Sequence, residues 1–430
     1  MYAIGTVDRS FLGMPATQPP ITGFFLDFRG TPPPFEALAR RVEQRAGGLP
    51  ALTHLLPGDT KRWWPVRTGA PDLAVHLRHQ VLPAGDEVLA DACDTLLSDP
   101  LPGPAHPQWD CRLLTQESAP DRFRLCFRIH HAFQDGVGGA YSTLALFADD
   151  PADGPRLYPA ARASAATMLR IGAQMYAPLL SATPGWAGLR PPADDSGRRW
   201  NHHDVPTARL RDLAETHHAN VNDVCLAALS LALKSWDAGP APVHPPEPAH
   251  LLAVMSTRQP HERHAPGNRI GGYRIVLPGT ATTLDAAVAD VRRQSDVVRR
   301  GDRRDAFRAL LGLPALLCPG PTMLRTMLGR RVYPLAASSI TFPETFGCFG
   351  ARFDAASMFV NVGDASPVYV SFTRTPTTVR CTVVADRPRA RAITIPQHWA
   401  RVLTGGTPSG SGFSGPAPYG RRPADEASAG

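Results

Sequence analysis

Lysine is nearly missing from this 430-residue chain: Lys61 and Lys234 stand alone, and every other member of its 45 basic residues is arginine. Arginine in excess, with alanine, proline and glycine, is the usage of a GC-rich genome. The arginines are spread along the whole chain and do not gather into a stripe with interleaved aromatics. The formal charge of +7 therefore gives no reason to expect a nucleic-acid partner. Aromatics are also few, at 7%. The cysteines (Cys93, Cys111, Cys126, Cys225, Cys318, Cys348, Cys381) are odd in number, far apart and never spaced C-x-x-C. That excludes a disulfide framework and a cysteine zinc site, and leaves them as small buried hydrophobes. No window holds 18 consecutive apolar residues, so no transmembrane helix is expected. The first twenty residues lack a basic start followed by an apolar stretch, so no signal peptide is visible and the cytoplasm is the default.

What is present is enough to fold. A hydrophobic content of 43% excludes a disordered chain, and the length suits about two or three domains of ordinary size. Residues 1–155 read as mixed helix and strand. Helices are expected at Phe35–Arg45 and Asp86–Leu97, strands at Leu73–Leu82 and Arg122–Ile129, and a further helix from a glycine-rich turn at 136–139 to Phe147. Residues 156–195 read as a crossover helix, Ala161–Leu180, with a turn-rich linker. Residues 196–403 read as a second stretch of strands and helices, including an apolar helix at Asn222–Trp236. Residues 404–430 are a low-complexity tail. Alternating strands and helices in both halves imply two α/β (α+β) units packed side by side.

The segment with chemistry in it is RFRLCFRIHHAFQDGVGG, residues 122–139. Phe123, Leu125, Phe127, Ile129 and His131 share one parity of a strand, and Arg124, Cys126, Arg128 and His130 share the other. His131 thus ends an apolar, inward row, where an imidazole needs a partner. Asp135 follows in the turn, closed by Gly136, Gly138 and Gly139. Three readings compete: a core histidine held by a hydrogen bond, a metal site of His130, His131 and Asp135, and a general base. Adjacent strand residues point apart, which disfavours the metal. A neutral imidazole titrating near pH 7 suits the base.

His130-His131-Ala132-Phe133-Gln134-Asp135-Gly136 resembles the HHxxxDG motif of the CoA-dependent acyltransferases. That superfamily includes chloramphenicol acetyltransferase, peptide-synthetase condensation domains, polyketide-associated acyltransferases and bacterial wax ester synthase/diacylglycerol acyltransferases. The last branch is most similar, because further segments occur in its order. They are His76-Leu77-Arg78, Pro107-Gln108-Trp109 (its PLW with glutamine for leucine), Asn222-Asp223-Val224, Ser256-Thr257-Arg258 and Gly267-Asn268-Arg269. Two places depart from it. Thr6-Val7-Asp8-Arg9 stands where the family opens Ser-Pro-x-Asp and keeps only the aspartate, and Ser338-Ser339-Ile340-Thr341-Phe342-Pro343 lacks the asparagine of Ser-Asn-x-Pro.

The resemblance implies two chloramphenicol-acetyltransferase-like domains with the active-site tunnel between them. It implies His131 as the base that deprotonates a hydroxyl or amine acceptor. Asp135 would hold the loop with Arg258 as its partner, supported by His130 and Gly136. The donor would be a thioester, acyl-CoA or acyl carrier protein, with no permanently bound cofactor or metal. Trp109, Asn222, Asp223, Arg258 and Asn268 would border substrate or channel. Three of them also have a simpler reading: Trp109 as core, Asn222 as a helix cap, Asn268 as a turn residue. Leu310–Val332, with Arg325, Arg330 and Arg331, reads either as a surface resting on an anionic membrane or as a solvated helix face. The product class divides between lipid esters and tailored specialised metabolites. A condensation-type or non-catalytic ligand-binding member of the same superfamily is the alternative.

Overall fold

The computed structural model describes residues 2–14, 20–57, 64–66, 70–150, 154–180, 197–236, 249–277, 279–300, 302–312, 335–361 and 368–405. Leu310–Val332 and the 404–430 tail lie almost wholly outside these residues, as does the linker after residue 180. In chain order the first part runs α1 (Thr6–Leu12), β1 (Ile21–Arg29), α2 (Phe35–Ala46), α3 (Pro50–Thr53), α4 (Leu73–His76), β2 (Leu77–Leu82), α5 (Asp86–Ser98), β3 (Trp109–Gln116), β4 (Arg122–His130) and α6 (Gly136–Phe147). Then follow α7 (Ala165–Leu180), β5 (Arg198–Pro206), α8 (Thr207–Thr216), α9 (Val221–Ser235), β6 (Ala249–Ser256), β7 (Ile270–Leu277), α10 (Leu284–Arg300) and α11 (Arg303–Leu311). The last part is β8 (Leu335–Thr341), β9 (Gly347–Cys348), β10 (Ala351–Asn361), β11 (Val368–Arg374), β12 (Thr378–Asp386) and α12 (Ile395–Thr404).

These strands make two six-stranded mixed sheets, ordered β2-β3-β4-β1-β10-β9 and β5-β12-β11-β8-β6-β7. The helices cover them with two large apolar cores. Residues 347–361 leave the second half of the chain to pair with β1, so the 196–403 stretch serves both sheets. β1 is central in the first sheet and buried on both faces. Phe24 and Leu26 enter one core, and Phe25 enters a smaller one under α5. A strand covered on both sides reads as a continuous apolar run, without alternation.

Some expectations need correction. Leu73–His76 is a helical turn capped by Asp72, and only Leu77–Leu82 is strand. Gly136, Gly138 and Gly139 do not form a turn; they are the first turn of α6 itself, capped by Asp135. Glycine is needed there for space. A Cβ on Gly136 would meet Met358 Cε at 2.4 Å, and one on Gly138 would meet Arg258 Nη2 at 2.8 Å. The arginine-bearing face of β4 is buried as well. Arg128 is fully buried, forked onto Asp110 and donating to the carbonyls of Leu96 and Asp99 at the end of α5.

Polar contacts in two places help to join the sheets. Arg380 of β12 reaches Asp204 of β5 and Asp27 of β1, and Arg124 of β4 donates to the same Asp27. Along β11, Ser371 and Thr373, with Thr375 just beyond, donate hydroxyls to the carbonyls of Met358, Ala356 and Asp354 on β10. β10 pairs with β1 on one side and with β9 only at Ala351 and Arg352 on the other. The hydroxyls therefore satisfy carbonyls on an otherwise bare strand edge.

Candidate active site

β4 delivers His130 to its last position, and the chain then folds back. The Ala132 N–H donates to His130 Nδ1 at 3.1 Å, and the Phe133 N–H donates to the His130 carbonyl at 2.9 Å. His130 is buried, and burial together with the neighbouring imidazole pulls its pKa down to about 3. It is a neutral acceptor that shapes the turn.

His131 lies across that turn, with its ring stacked on Phe11 of α1 at 4.0 Å. Its Nδ1 lies 3.1 Å from Asn268 Oδ1. The Asn268 amide has only one sensible orientation, because its Nδ2 donates to Asp8 Oδ1 (3.0 Å), the His131 carbonyl (2.8 Å) and the Ala132 carbonyl (3.3 Å). Oδ1 must then accept, so His131 carries its proton on Nδ1 and keeps a lone pair on Nε2. Burial lowers the pKa of His131, which keeps the ring neutral.

Asp135 does not relay protons to this ring. Its Oδ1 accepts from the Gly138 N–H (2.8 Å), while Oδ2 accepts from Arg258 Nη2 (2.7 Å) and the Arg269 N–H (2.8 Å). The Arg258 guanidinium beside it holds the Asp135 carboxyl below the usual carboxylate range against the cost of burial. Arg258 also donates to the carbonyls of Glu262, Ala265 and Gly267. It thereby pins the loop between β6 and β7 onto the histidine turn. Gly267, at φ +90°, donates to the Phe133 carbonyl and closes that junction.

A cavity opens beside His131. Its wall is mainly apolar, from Phe11, Leu252, Val254, Ile270, Ile340 and Met358, with Asp135 and Gly136 at the histidine end. Among the site residues expected from sequence, the structure thus brings His130, His131, Asp135, Gly136, Arg258 and Asn268 together. It sets three apart. Trp109 is core: fully buried, stacked on His76 at 4.3 Å and donating Nε1–H to the Leu52 carbonyl. Asn222 is not the cap of α9; Asn220 is, through reciprocal bonds with Asp223. Asp223 is fully buried and forked by Arg299.

Two residues were missed. Asp8 takes both the backbone and side-chain N–H of Asn268, and Phe11 stacks on the base. The aspartate kept in Thr6-Val7-Asp8-Arg9 was the available signal. His261 and His264 flank Glu262, whose carboxylate is taken by Arg269 and Arg308. Among the described residues no helix is long and apolar enough to cross a membrane.

Residues 7–190 match the wax ester synthase/diacylglycerol acyltransferase catalytic domain. A Mycobacterium tuberculosis protein named a probable diacylglycerol O-acyltransferase, Tgs4, is 24% identical over 223 residues. That alignment covers 41% of this chain and 46% of Tgs4, so it spans about half of the relative's length. The wax ester synthase/diacylglycerol acyltransferase of Marinobacter aquaeolei VT8 has the same fold, at TM-score 0.64 and 16% identity over 94% of this chain and 98% of that one. The first condensation domain of the calcium-dependent antibiotic synthetase, solved with a substrate analogue, gives TM-score 0.60 at 17% identity over 89% and 90%. The starter condensation domain of rhizomide synthetase, solved with C8-CoA, gives 0.58 at 16% over 94% and 93%. Residues 7–190 thus resemble the wax ester synthase/diacylglycerol acyltransferase catalytic domain, on a two-lobed fold that the chain shares with these solved structures.

Proposed function

We propose that this protein is an O-acyltransferase that moves an acyl group from acyl-CoA to a hydroxyl acceptor, with His131 as general base. The observation that carries this reading is the fixed tautomer: Asn268 holds the His131 proton on Nδ1, leaving Nε2 as the basic atom of a ring on the cavity wall. Nε2 takes the acceptor proton as the oxygen attacks the thioester carbonyl. The tetrahedral intermediate then expels the thiolate, which recovers the proton from the imidazolium, so ester and thiol leave a neutral histidine. General-base catalysis of this kind contributes about 10²–10⁴-fold. Positioning and oxyanion stabilisation supply the rest.

Asp135 and Arg258 are positioning residues in this account. They clamp the loop that carries Asn268 against the turn that carries His131. The hydroxyl acceptor is favoured by the name of the matched relative, and the CoA donor by the C8-CoA held in a protein of the same fold. The test is product analysis by mass spectrometry after incubation with acyl-CoAs of several lengths and a pool of alcohols and amines. Esters formed by the native protein and absent with His131→Ala support the reading. Amides alone, or no product from folded protein with any donor, overturn it.

A further inference from the structure

The second sheet turns one face toward β10, and along β11 that face carries Tyr369, Ser371, Thr373 and then Thr375. The last three spend their hydroxyls on β10 carbonyls. Tyr369 breaks the series. Its Oη pairs with Ser338 Oγ of β8 at 2.5 Å, and both residues line the same cavity as His131. Tyr369 is buried and Ser338 half-buried. Ala336, Ser339, Ile340, Met358 and Val360 line the same cavity.

Two hydroxyls hold two protons, and the bond between them uses one. Among the described residues the other proton is offered only a thioether, Met358 Sδ at 3.6 Å from Ser338 Oγ, which is a weak acceptor. The lone pairs of the pair are likewise not used by any described protein donor. Burial raises the Tyr369 pKa to about 12, so the phenol keeps its proton across the working range. A plain alkyl chain drawn into this cavity would cover the pair without offering it a hydrogen-bond partner, and that costs free energy.

We propose that Ser338 and Tyr369 form a polar subsite for a second oxygen on the substrate, so that the cavity selects a chain bearing a hydroxyl or keto group over a plain hydrocarbon one. The acyltransfer reading supplies the two sources of that chain, acceptor and acyl group, but the subsite itself is tested by binding. Calorimetry would compare 1-octanol with 1,2-octanediol and 1,4-octanediol, and octanoyl-CoA with 3-hydroxyoctanoyl-CoA. Native protein, Tyr369→Phe and Ser338→Ala would be measured side by side, with thermal melts to establish folding. The alcohol arm and the CoA arm report separately which substrate the subsite reads.

In at least one arm the oxygenated ligand binds native protein about tenfold more tightly than its plain counterpart, the worth of one net hydrogen bond. Both variants bring that ratio towards one while leaving the plain ligand's affinity unchanged or improved. Equal affinities in native protein in both arms, ratios untouched by either substitution, or no binding of any ligand would overturn the subsite. Turnover in the same samples, with His131→Ala as control, judges acyl transfer independently. A protein that binds selectively but never transfers keeps the subsite and loses the reaction.

Discussion

The amide of Asn268 joins the base to Asp8, which lies 260 residues before Asn268 in sequence: Oδ1 meets His131 Nδ1 at 3.1 Å, and Nδ2 meets Asp8 Oδ1 at 3.0 Å. α1 and the loop before β7 thus decide together where the proton of His131 sits. Asn268→Ala removes the bond that fixes the tautomer. It is expected to cost roughly tenfold in kcat, the equivalent of about one hydrogen bond, with KM for the donor little changed. Steady-state kinetics on a folded variant check this, and an unchanged kcat would separate the amide from the reaction.

The pH dependence has a definite sign. Burial lowers the His131 pKa below its ordinary 6.5, so the neutral, basic form persists into mildly acidic solution. The acid limb of kcat/KM is therefore expected below pH 6.5. A limb at or above that value would contradict a buried neutral base.

Stability follows the same logic at His130. Its folded pKa of about 3 lies below the unfolded 6.5, so between these values the unfolded chain binds the extra proton. Its contribution is complete above pH 6.5 and is lost as pH falls towards 3. His130→Asn keeps an acceptor for the Ala132 N–H but cannot titrate. Urea melts from pH 7.5 to 5 are expected to show a steeper loss for native protein than for this variant, and parallel losses would refute the assignment.

Gly136 tests the packing of the cavity. An added methyl would overlap Met358 Cε and Ile340 Cδ1, at 2.4 and 2.9 Å. Gly136→Ala is expected to destabilise by about 1–3 kcal/mol and to reduce turnover. Adding Met358→Ala should recover part of both. Thermal melts and rates on the double variant decide this, and no recovery would place the strain elsewhere.

The junction between sheets rests on a charge cluster around the buried Arg380, with Asp27 half-buried and Asp204 exposed. Arg380→Met leaves Asp27 with Arg124 alone and Asp204 without its fork, and is expected to cost about 1–3 kcal/mol. Equilibrium unfolding measures it. A loss under about 1 kcal/mol would mean that the cluster behaves like surface ion pairs.

Part of this was readable from spacing. The alternating run of β4 and the apolar helix α9 announce themselves through periodicity, whereas the caps did not: Asn220 caps α9 in place of Asn222, and Asp135 caps α6 where a turn was expected. β1 and β3 were not legible, because strands covered on both faces lose alternation. Of β10, only a strand-like run from Met358 is expected from sequence; its first half interrupts buried Ala351 and Phe353 with Arg352 and Asp354. In the site, the motif pointed to His131 and the S-x-R segment to Arg258. Nothing local could link Asp8 to Asn268, whose contact exists only after both sheets have assembled. Trp109 and Asp223 sat in motif-like segments for packing reasons. One closes a core beneath α3, and the other locks α9 to α10 through Arg299.

The most direct test of the central claim is CoA release from acyl-CoA at pH 7 with and without an alcohol, for native protein and His131→Ala. Alcohol-dependent release by the native protein, reduced at least about 100-fold in the variant, is the predicted result. Release that ignores the alcohol, or survives the loss of His131, would contradict a general base acting on the acceptor.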